Sequence, residues 1–491
     1  MESFPITDLF TQGGSGQGFP QQSRRGPLGD TVIVRTRLEG FRRGDSLAVK
    51  ERELRRTAIL VRIFLPQSTP SRTAIHLKSL LNFVHPLKRF VYQSVKLIQT
   101  DEQARIEALI GPRTNSKPRC SSCSKPCPGY DSLEQRRFAF IPLWNIPVDF
   151  LYTMRRVNCP RCGVKVEQIP WAEGKHSSCN AFRHFLASWA KRLSWKETAQ
   201  CFQTSWDKVY RSVQWVVDYG LKHREFKDIT ALGVDEVAYR KGHQYMTLVY
   251  QIDSGCKRLL GVIKDRKEDS LKNFFLDFGP DNCRQIQVIC SDMWKPYLKV
   301  AAEMLPKALN ILDRFHIVKK LNEAVDQVRR NEVKRLHQKG YEPILKRSRY
   351  SFLKRPCNLT PKQSEKLTEV LQYDLKTTRA YFLKEAFDGF WQYNSPRWAK
   401  WYLRKWCTRA MRSRLEPMKK FVSTLRQHED LLMNYFNAKK QYSSGIVEGL
   451  NLKVNLSMRK AYGFRSFDVL KIALFHQLGD LPEPKFTHRF C

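Results

Sequence analysis

Acidic residues are scarce in this chain. Asp and Glu number 47 against 86 Lys and Arg, which leaves a formal net charge of +39 over 491 residues. A surface with that imbalance repels itself and calls for a polyanion. Nucleic acid is the usual one, and an acidic protein or an anionic membrane surface is the alternative. Long apolar runs are also missing: no stretch of about 18 consecutive apolar residues occurs, which excludes a membrane-spanning helix. The opening Met1-Glu2-Ser3-Phe4-Pro5 lacks the basic, apolar, small-residue order of a secretory signal. The 13 cysteines are an odd number spread over a large chain, which argues against a disulfide framework and for reduced thiols in a cytoplasmic compartment. No internal repeat at solenoid periods is present. The hydrophobic share, 42%, is that of a globular chain, and its length predicts about three domains.

Residues 1 to about 80 differ from the rest. A low-complexity run, Gly13-Gly14-Ser15-Gly16-Gln17-Gly18, precedes an Arg-rich stretch that includes Arg35, Arg37, Arg42, Arg43, Arg55 and Arg56. Thr31 to Leu38 could be a strand within a poorly ordered extension or a basic arm. From Phe90 the pattern changes to short alternating strands, at Phe90–Gln99 and Ala104–Ile110. Helical spacing follows from about Asn180 to Glu225, strand-rich sequence from Ala231 to Lys264, and a buried strand at Val288-Ile289-Cys290-Ser291. From Lys319 to about Lys440 the chain is helical and rich in Lys, Arg and Trp, and residues 441 to 476 contain a further helix pair.

Some of the thiols are spaced as metal ligands. Cys120-Ser121-Ser122-Cys123 and Cys159-Pro160-Arg161-Cys162 are two CxxC turns, each able to bring two thiolates to one ion. Together they supply the four ligands of a closed structural zinc site. The gap between the pairs exceeds that of a typical ribbon, so a longer hairpin must fill it. Cys127 competes as a ligand. Arg136, Arg137, Arg155, Arg156 and Arg161 flank the pairs and would give them a basic face for phosphate contact.

Downstream, Ser194 has Glu197 three residues on, the capping-box spacing at a helix start. Gln203-Thr204-Ser205 would form a turn, and a second helix from Trp206 would bury Val209, Val213, Val216 and Val217. Two short helices joined in this way match a helix-turn-helix, with Lys208 and Arg211 facing a DNA groove; an ordinary helical hairpin is the alternative.

Three carboxylates stand out by context. Asp235 follows a short apolar lead, Asp292 ends a buried strand, and Glu448 stands alone among neutral residues before a basic helix. Carboxylates at the ends of buried strands are costly unless a cation neutralises them, and two magnesium or manganese ions would serve phosphoryl transfer there. Lys453, Arg459 and Lys460 would hold phosphates. Asp253, Asp265 and Asp313 are rivals for the same role, and each could be a solvated surface acid.

At these residues the sequence resembles bacterial Asp-Asp-Glu transposases of the ISL-three insertion-sequence family. The blocks that carry the resemblance are GVDEVAYRKGHQYMTLVYQID, CSDMWKPYLKV, LDRFHIVKKLN, SSGIVEGLNLKVNLSMRKAYGFRSF and the tail HQLGDLPEPKFTHRF, in that order across about residues 88 to 491. The resemblance implies an α/β chain with a ribonuclease-H-like catalytic core and a helical insertion, preceded by a zinc-binding segment and a helix-turn-helix. Asp235, Asp292 and Glu448 would be the metal-binding triad, on the first strand, just after the fourth strand and on a late helix. His316, in the block Asp313-Arg314-Phe315-His316, would stand behind the metal ligands or touch a DNA strand. Trp391, Trp398, Trp401 and Trp406 of the insertion would stack on DNA or pack as helix core. Where the family often carries a second Asn and then a Lys after Asn451, this chain has Leu452 and Asn455.

The implied layout is a basic extension over 1–87, a zinc-binding segment over 88–175, a helix-turn-helix over 176–226, a catalytic domain over 227–476 with its insertion at about 320–440, and a tail over 477–491. The implied activity is DNA transposition by a cytoplasmic, nucleoid-associated homo-oligomer. It would bind terminal inverted repeats and target DNA, cut with two magnesium or manganese ions, and carry structural zinc. A DNA-binding protein derived from a transposase that no longer cuts is a second reading. A ribonuclease-H-like nuclease acting on RNA–DNA hybrids is a third, and the zinc segment and helix-turn-helix weigh against it.

Overall fold

The computed structural model describes residues 76–99, 104–341, 343–442, 445–461 and 463–485. The Arg-rich segment and the strand expected at Thr31 to Leu38 lie outside the described residues. The chain divides into two units, Met1–Ala74 and Ile75–Cys491, and every described residue belongs to the second.

That unit opens with helix α1 (Leu77–Val84) and a mixed sheet of β1 (Phe90–Gln99), β2 (Ala104–Pro112), β3 (Gly129–Leu143), β4 (Ile146–Cys159) and β5 (Gly163–Val166), in the order β1-β2-β4-β3 with β5 on β4. Strands β3 and β4 are the long hairpin that the cysteine spacing requires. Its tip is Trp144-Asn145, both in the left-handed region at φ 48° and 66°. Phe138, Phe150, Tyr152 and Trp171 close its core.

Three helices follow: α2 (Asn180–Ala190), α3 (Trp195–Cys201) and α4 (Trp206–His223). The capping box forms at α3, where Ser194 Oγ accepts from the Glu197 N–H (3.2 Å) and Glu197 Oε2 accepts from the Ser194 N–H (2.7 Å). Two orphan donors of the first turn are satisfied, so the start of this short helix is fixed locally. Val209, Val213, Val216 and Val217 of α4 are buried, as their spacing predicts.

The second sheet contains β6 (Ala231–Arg240), β7 (Gln244–Asp253), β8 (Cys256–Ile263), β9 (Val288–Ser291) and β10 (Leu309–Leu312), in the order β10-β9-β6-β7-β8. β6, β9 and β10 are parallel, β7 runs antiparallel to β6, and β8 runs antiparallel to β7. Both faces are covered, which explains why β6, β7 and β9 read as nearly continuous apolar runs. On one face Leu232, Val234 and Ile289 pack against α5 (Glu268–Phe278), α6 (Pro280–Gln285) and α7 (Lys295–Met304). On the other, Ala231, Val237, Val288 and Cys290 share a core with residues of α15 (Gly445–Lys460) and α16 (Phe467–Leu478).

Between β10 and α15 lies the helical insertion, with α8 (Arg314–Gln338), α9 (Arg349–Leu353), α10 (Pro361–Leu371), α11 (Lys376–Asp388), α12 (Pro396–Arg412), α13 (Glu416–Gln427) and α14 (Glu429–Asn437). It has its own core around Phe352, Phe387, Phe390 and Met418. Trp391 and Trp406 belong to that core, at 5% and 4% exposure; for these two, helix packing is the role the structure gives. The buried Glu332 of α8 accepts from the N–H groups of Lys376 (2.9 Å) and Thr377 (2.7 Å), holding a negative charge at the start of α11. Asn434 of α14 donates to the Asn310 carbonyl of β10 at 2.9 Å, tying the insertion to the sheet.

The C-terminal stretch closes back on the first helices. Glu483 pairs with His184 (2.9 Å) and Lys191 (2.6 Å) of α2 and its neighbour. The His184 contact, with Lys191, holds the Glu483 carboxyl down to about 2. No helix among the described residues is long and apolar enough to cross a membrane.

One glycine sets how closely α15 approaches β6. A Cβ on Gly233 would lie 2.4 Å from Val447 Cγ2 and 3.2 Å from Ile252 Cγ2. Gly233→Ala should therefore lift α15 off the sheet and lower stability by roughly 1–3 kcal/mol, as overpacking does. A shift in the thermal unfolding midpoint against wild type measures it.

Candidate metal centre

The parallel strands decide where the acidic side chains meet. Ala231 lies opposite Val288 and Gly233 opposite Cys290 across β6 and β9. Continued by two residues, the same offset sets Asp235 level with Asp292. On the other side of β9, Ile311 lies opposite Cys290 and Leu312 opposite Ser291, so Asp313 falls at that level too. Alternation puts the three aspartates on one face, because Val237, Cys290 and Ile311, each two residues away, belong to the core beneath α15. Helix α15 lies over that face with Glu448 in its first turn.

Hydrogen bonds fix these groups. Asp235 Oδ1 accepts from the Glu236 N–H (2.8 Å), and Asp235 Oδ2 accepts from Asn451 Nδ2 (2.6 Å). Asn451 Oδ1 in turn accepts from the buried Tyr250 hydroxyl (2.8 Å). Asn451 is one turn along α15 from Glu448, so a single helix both orients Asp235 and presents Glu448. Asp313 caps α8 by accepting from the Phe315 N–H (2.7 Å) and holds His316 Nδ1 at 2.8 Å. The other ring nitrogen of His316 stands 4.0 Å from Asp292 Oδ2.

The electrostatics are those of a site short of positive charge. Burial pushes the Asp235 carboxyl above its ordinary range, and Asp313 and Asp292 push the same way. Glu448, at the exposed rim, is raised by partial desolvation and then by Asp313 and Asp235. The His316 imidazole is raised chiefly by its hydrogen bond to Asp313, with Asp292, Asp313 and Asp235 adding to it. Among the described residues, Asp235, Asp292 and Glu448 have no Lys or Arg ion-pair partner, in a chain with 86 Lys and Arg. Hard oxygen donors with nearby cations withheld are suited to magnesium or manganese. The rivals differ: Asp253 accepts from Thr230 and Gln251 Nε2 (2.9 Å), and Asp265 caps the Lys267 N–H (3.0 Å). Both are engaged in local structure.

A second, softer donor set lies in the first sheet. The sulfur atoms of Cys120, Cys123, Cys159 and Cys162 all lie within 4.8 Å of one another, with Cys123 Sγ and Cys159 Sγ 3.6 Å apart. Backbone N–H groups, that of Arg161 first, lower the Cys159 thiol to about 6. Four convergent sulfurs fit tetrahedral zinc. Cys127 is buried beside them but donates to the Lys125 carbonyl at 3.4 Å and is not one of the four.

The expected DNA-contacting cations divide on inspection. Lys208 and Arg211 are both exposed on α4, with Asp207 lying 3.0 Å from Arg211 on the same exposed face. Arg459 is exposed, and 100° per residue places it on the Glu448 face of α15. Lys453 instead lines a cavity with Val216, Leu481 and Glu483, and Lys460 donates to the Arg192 carbonyl. Both are exposed on the side of α15 turned toward the first helices. The arginines around the thiols are also largely engaged: Arg137 with Glu107 (2.6 Å) and Asp149 (2.9 Å), Arg155 with Glu167 (2.6 Å), Arg156 with Asp131. Sequence reasoning named Asn451 only within a motif and did not single out Tyr250; the amide within one helical turn of Glu448 was the available signal.

Comparison with known proteins bears on the same residues. The ISL-three family model, described as Transposase, matches residues 232–474, the stretch from β6 into α16. The chain is 28% identical over 425 residues to the transposase for insertion sequence element IS1557 of Mycobacterium tuberculosis, covering 80% of this chain and 94% of that protein. It is 25% identical over 350 residues to the transposase for insertion sequence element IS1001 of Bordetella parapertussis, covering 70% and 85%. Through the domain that carries Asp235, Asp292 and Glu448, the chain belongs to the ISL-three family of insertion-sequence transposases.

Proposed function

We propose that this chain is a DNA transposase that binds the terminal inverted repeats of its own element, cleaves DNA there and joins the freed ends to target DNA. The observation that supports this most is the set of carboxylates within β6, just after β9 and on α15, which among the described residues lack Lys or Arg partners in a strongly basic chain. The strand order β10-β9-β6-β7-β8 suits a ribonuclease-H-like core. In this reading residues 227–476 are the catalytic domain, 88–175 the zinc-binding segment and 176–226 the helix-turn-helix that reads the ends, with Lys208 on its exposed side.

Asp235, Asp292 and Glu448 would hold two magnesium or manganese ions, which when bound supply Lewis-acid stabilisation of the phosphoryl oxygens and an activated nucleophile. Asn451 keeps Asp235 turned toward the other carboxylates. Asp313 holds the His316 imidazole beside Asp292. Arg459 would steady a strand by its phosphates. Water attacks a phosphodiester at the element end, and the freed 3′-hydroxyl then attacks target DNA in a second in-line displacement. Paired ends call for at least a dimer on DNA.

The second reading, an end-binding protein that no longer cuts, draws on Leu452, which stands 60% exposed one turn beyond Glu448 where the family often has a polar residue. Both readings meet in one experiment. On a plasmid carrying the element ends, with magnesium or manganese, wild type should cut at the ends. Glu448→Gln should bind the ends equally and cut at least about a hundredfold more slowly. End binding without cutting by wild type would favour the second reading.

The zinc segment gives a separate expectation. Purified protein should contain about one zinc per chain by elemental analysis. Cys159→Ser should lose it, with protease cleavage appearing first within residues 104–166. Unchanged metal content would remove zinc from the account.

A further inference from the structure

The insertion carries a groove that the carboxylate site does not use. It lies between α11 and α12, is open to solvent and spans about 1570 Å³. That exceeds the roughly 300–1,000 Å³ of small-molecule sites and leaves room for an extended polymer segment. Its walls are cationic: Arg379, Arg397, Lys405, Arg409 and Arg412 line it. None of these five has a carboxylate partner among the described residues, whereas Lys400 and Arg404 at its edge are held by Glu429 at 3.1 and 2.8 Å. Five unpaired cations around one concavity specify a polyanion.

The aromatic side chains narrow the class. Phe382 and Trp401 line the groove at 51% and 45% exposure, and Trp398 beside them is 57% exposed. The Trp398 and Trp401 rings meet edge to face at 5.8 Å. Lys405 Nζ sits 3.9 Å from the Trp401 centroid and keeps a positive charge at the ring. A duplex offers such a groove only its phosphates, since its base faces are stacked. Unpaired nucleotides offer both phosphates and base faces, and base–aromatic stacking is worth about 1–3 kcal/mol per base. An acidic peptide has no face for the indole. The groove is also connected to the carboxylate site: α8 is capped by Asp313 and carries His316 in its first turn, and its Glu332 fixes the start of α11, which carries Arg379 and Phe382.

We infer that the groove between α11 and α12 binds unpaired DNA nucleotides, with Trp401 as the stacking platform and Arg397 and Arg409 as phosphate contacts. The choice of DNA as the polymer rests on the transposase reading; the preference for unpaired nucleotides rests on the groove alone.

The test uses the full chain and a fluorescent oligothymidylate of about 12 nucleotides, within the range one such site covers, in buffer without magnesium or manganese so that nothing is cut. Trp401→Ala should weaken binding about tenfold or more, while Trp401→Phe, which keeps a ring, should retain most of it. Arg397→Ala with Arg409→Ala should reduce the slope of log affinity against log salt by about 1.4, at about 0.7 per phosphate contact on a single strand. A duplex bearing the element ends should bind equally to all these proteins. Oligothymidylate affinity unchanged in both Trp401→Ala and the double arginine variant would overturn the inference, as would polyglutamate competing as well as oligothymidylate of equal charge. If the end duplex binds to no variant, wild type included, while Trp401→Ala still loses oligothymidylate, the groove stands and the end-binding reading falls.

Discussion

The parallel pairing of β9 with β6 on one side and β10 on the other is what everything else depends on. Its offsets bring Asp235, Asp292 and Asp313, which are far apart in the chain, to one level and one face. Carboxylates so placed resist burial and then repel one another, and desolvation first, repulsion second, raises the Asp235 and Glu448 carboxyls. A fold that only needed stability would place apolar groups there. The strain concentrates where a cation would relieve it, and the surrounding structure maintains it: the hydrogen bond from Asn451 orients Asp235, and His316 is clamped by Asp313. Gly233 matters for the same reason. Two residues before Asp235 on the same face, it gives Val447 room, and so lets the helix bearing Glu448 lie close to the strand bearing Asp235.

The helices extend that constraint outward. Helix α15 packs on the sheet with Val447, Leu450 and Val454, and further along Lys460 reaches the Arg192 carbonyl beside α3. Phe464 and Arg465 then lie against Trp195 and Trp206 at the starts of α3 and α4. The element proposed to read DNA ends is thus in contact with the element that presents Glu448. On the other side, α8 leaves the carboxylate site directly and carries the insertion.

Local features were legible in the sequence, and features that depend on pairing were not. The capping box at Ser194, the valine stripe of α4 and the two CxxC turns each involve residues within a few positions, and the structure has the expected elements at each. The long hairpin followed from the cysteine gap alone. By contrast, nothing local aligns Asp235 with Asp292; the offset belongs to two strands separated by β7, β8 and two helices. Family resemblance supplied that pairing, and composition could not. Asp313 was left as a rival because its role depends on α8 starting one residue later. Lys453 shows how helical phase bears on such a reading. Five residues at 100° each turn it about 140° away from Glu448, whereas Arg459 lies within about 20° of it. The tryptophans of the insertion divide by the same logic, Trp391 and Trp406 inward and Trp398 and Trp401 outward, a division that helix packing fixes and composition does not reveal.

Manganese binding followed by calorimetry or paramagnetic resonance, with no DNA present, addresses the central claim most directly. Wild type should bind the ion at the carboxylates, and Asp235→Asn and Asp292→Asn should each weaken that binding at least about tenfold while leaving the zinc content of the thiol site unchanged. Equal manganese affinity in wild type and both variants would mean that these carboxylates are not a metal centre, whatever else the chain does with DNA.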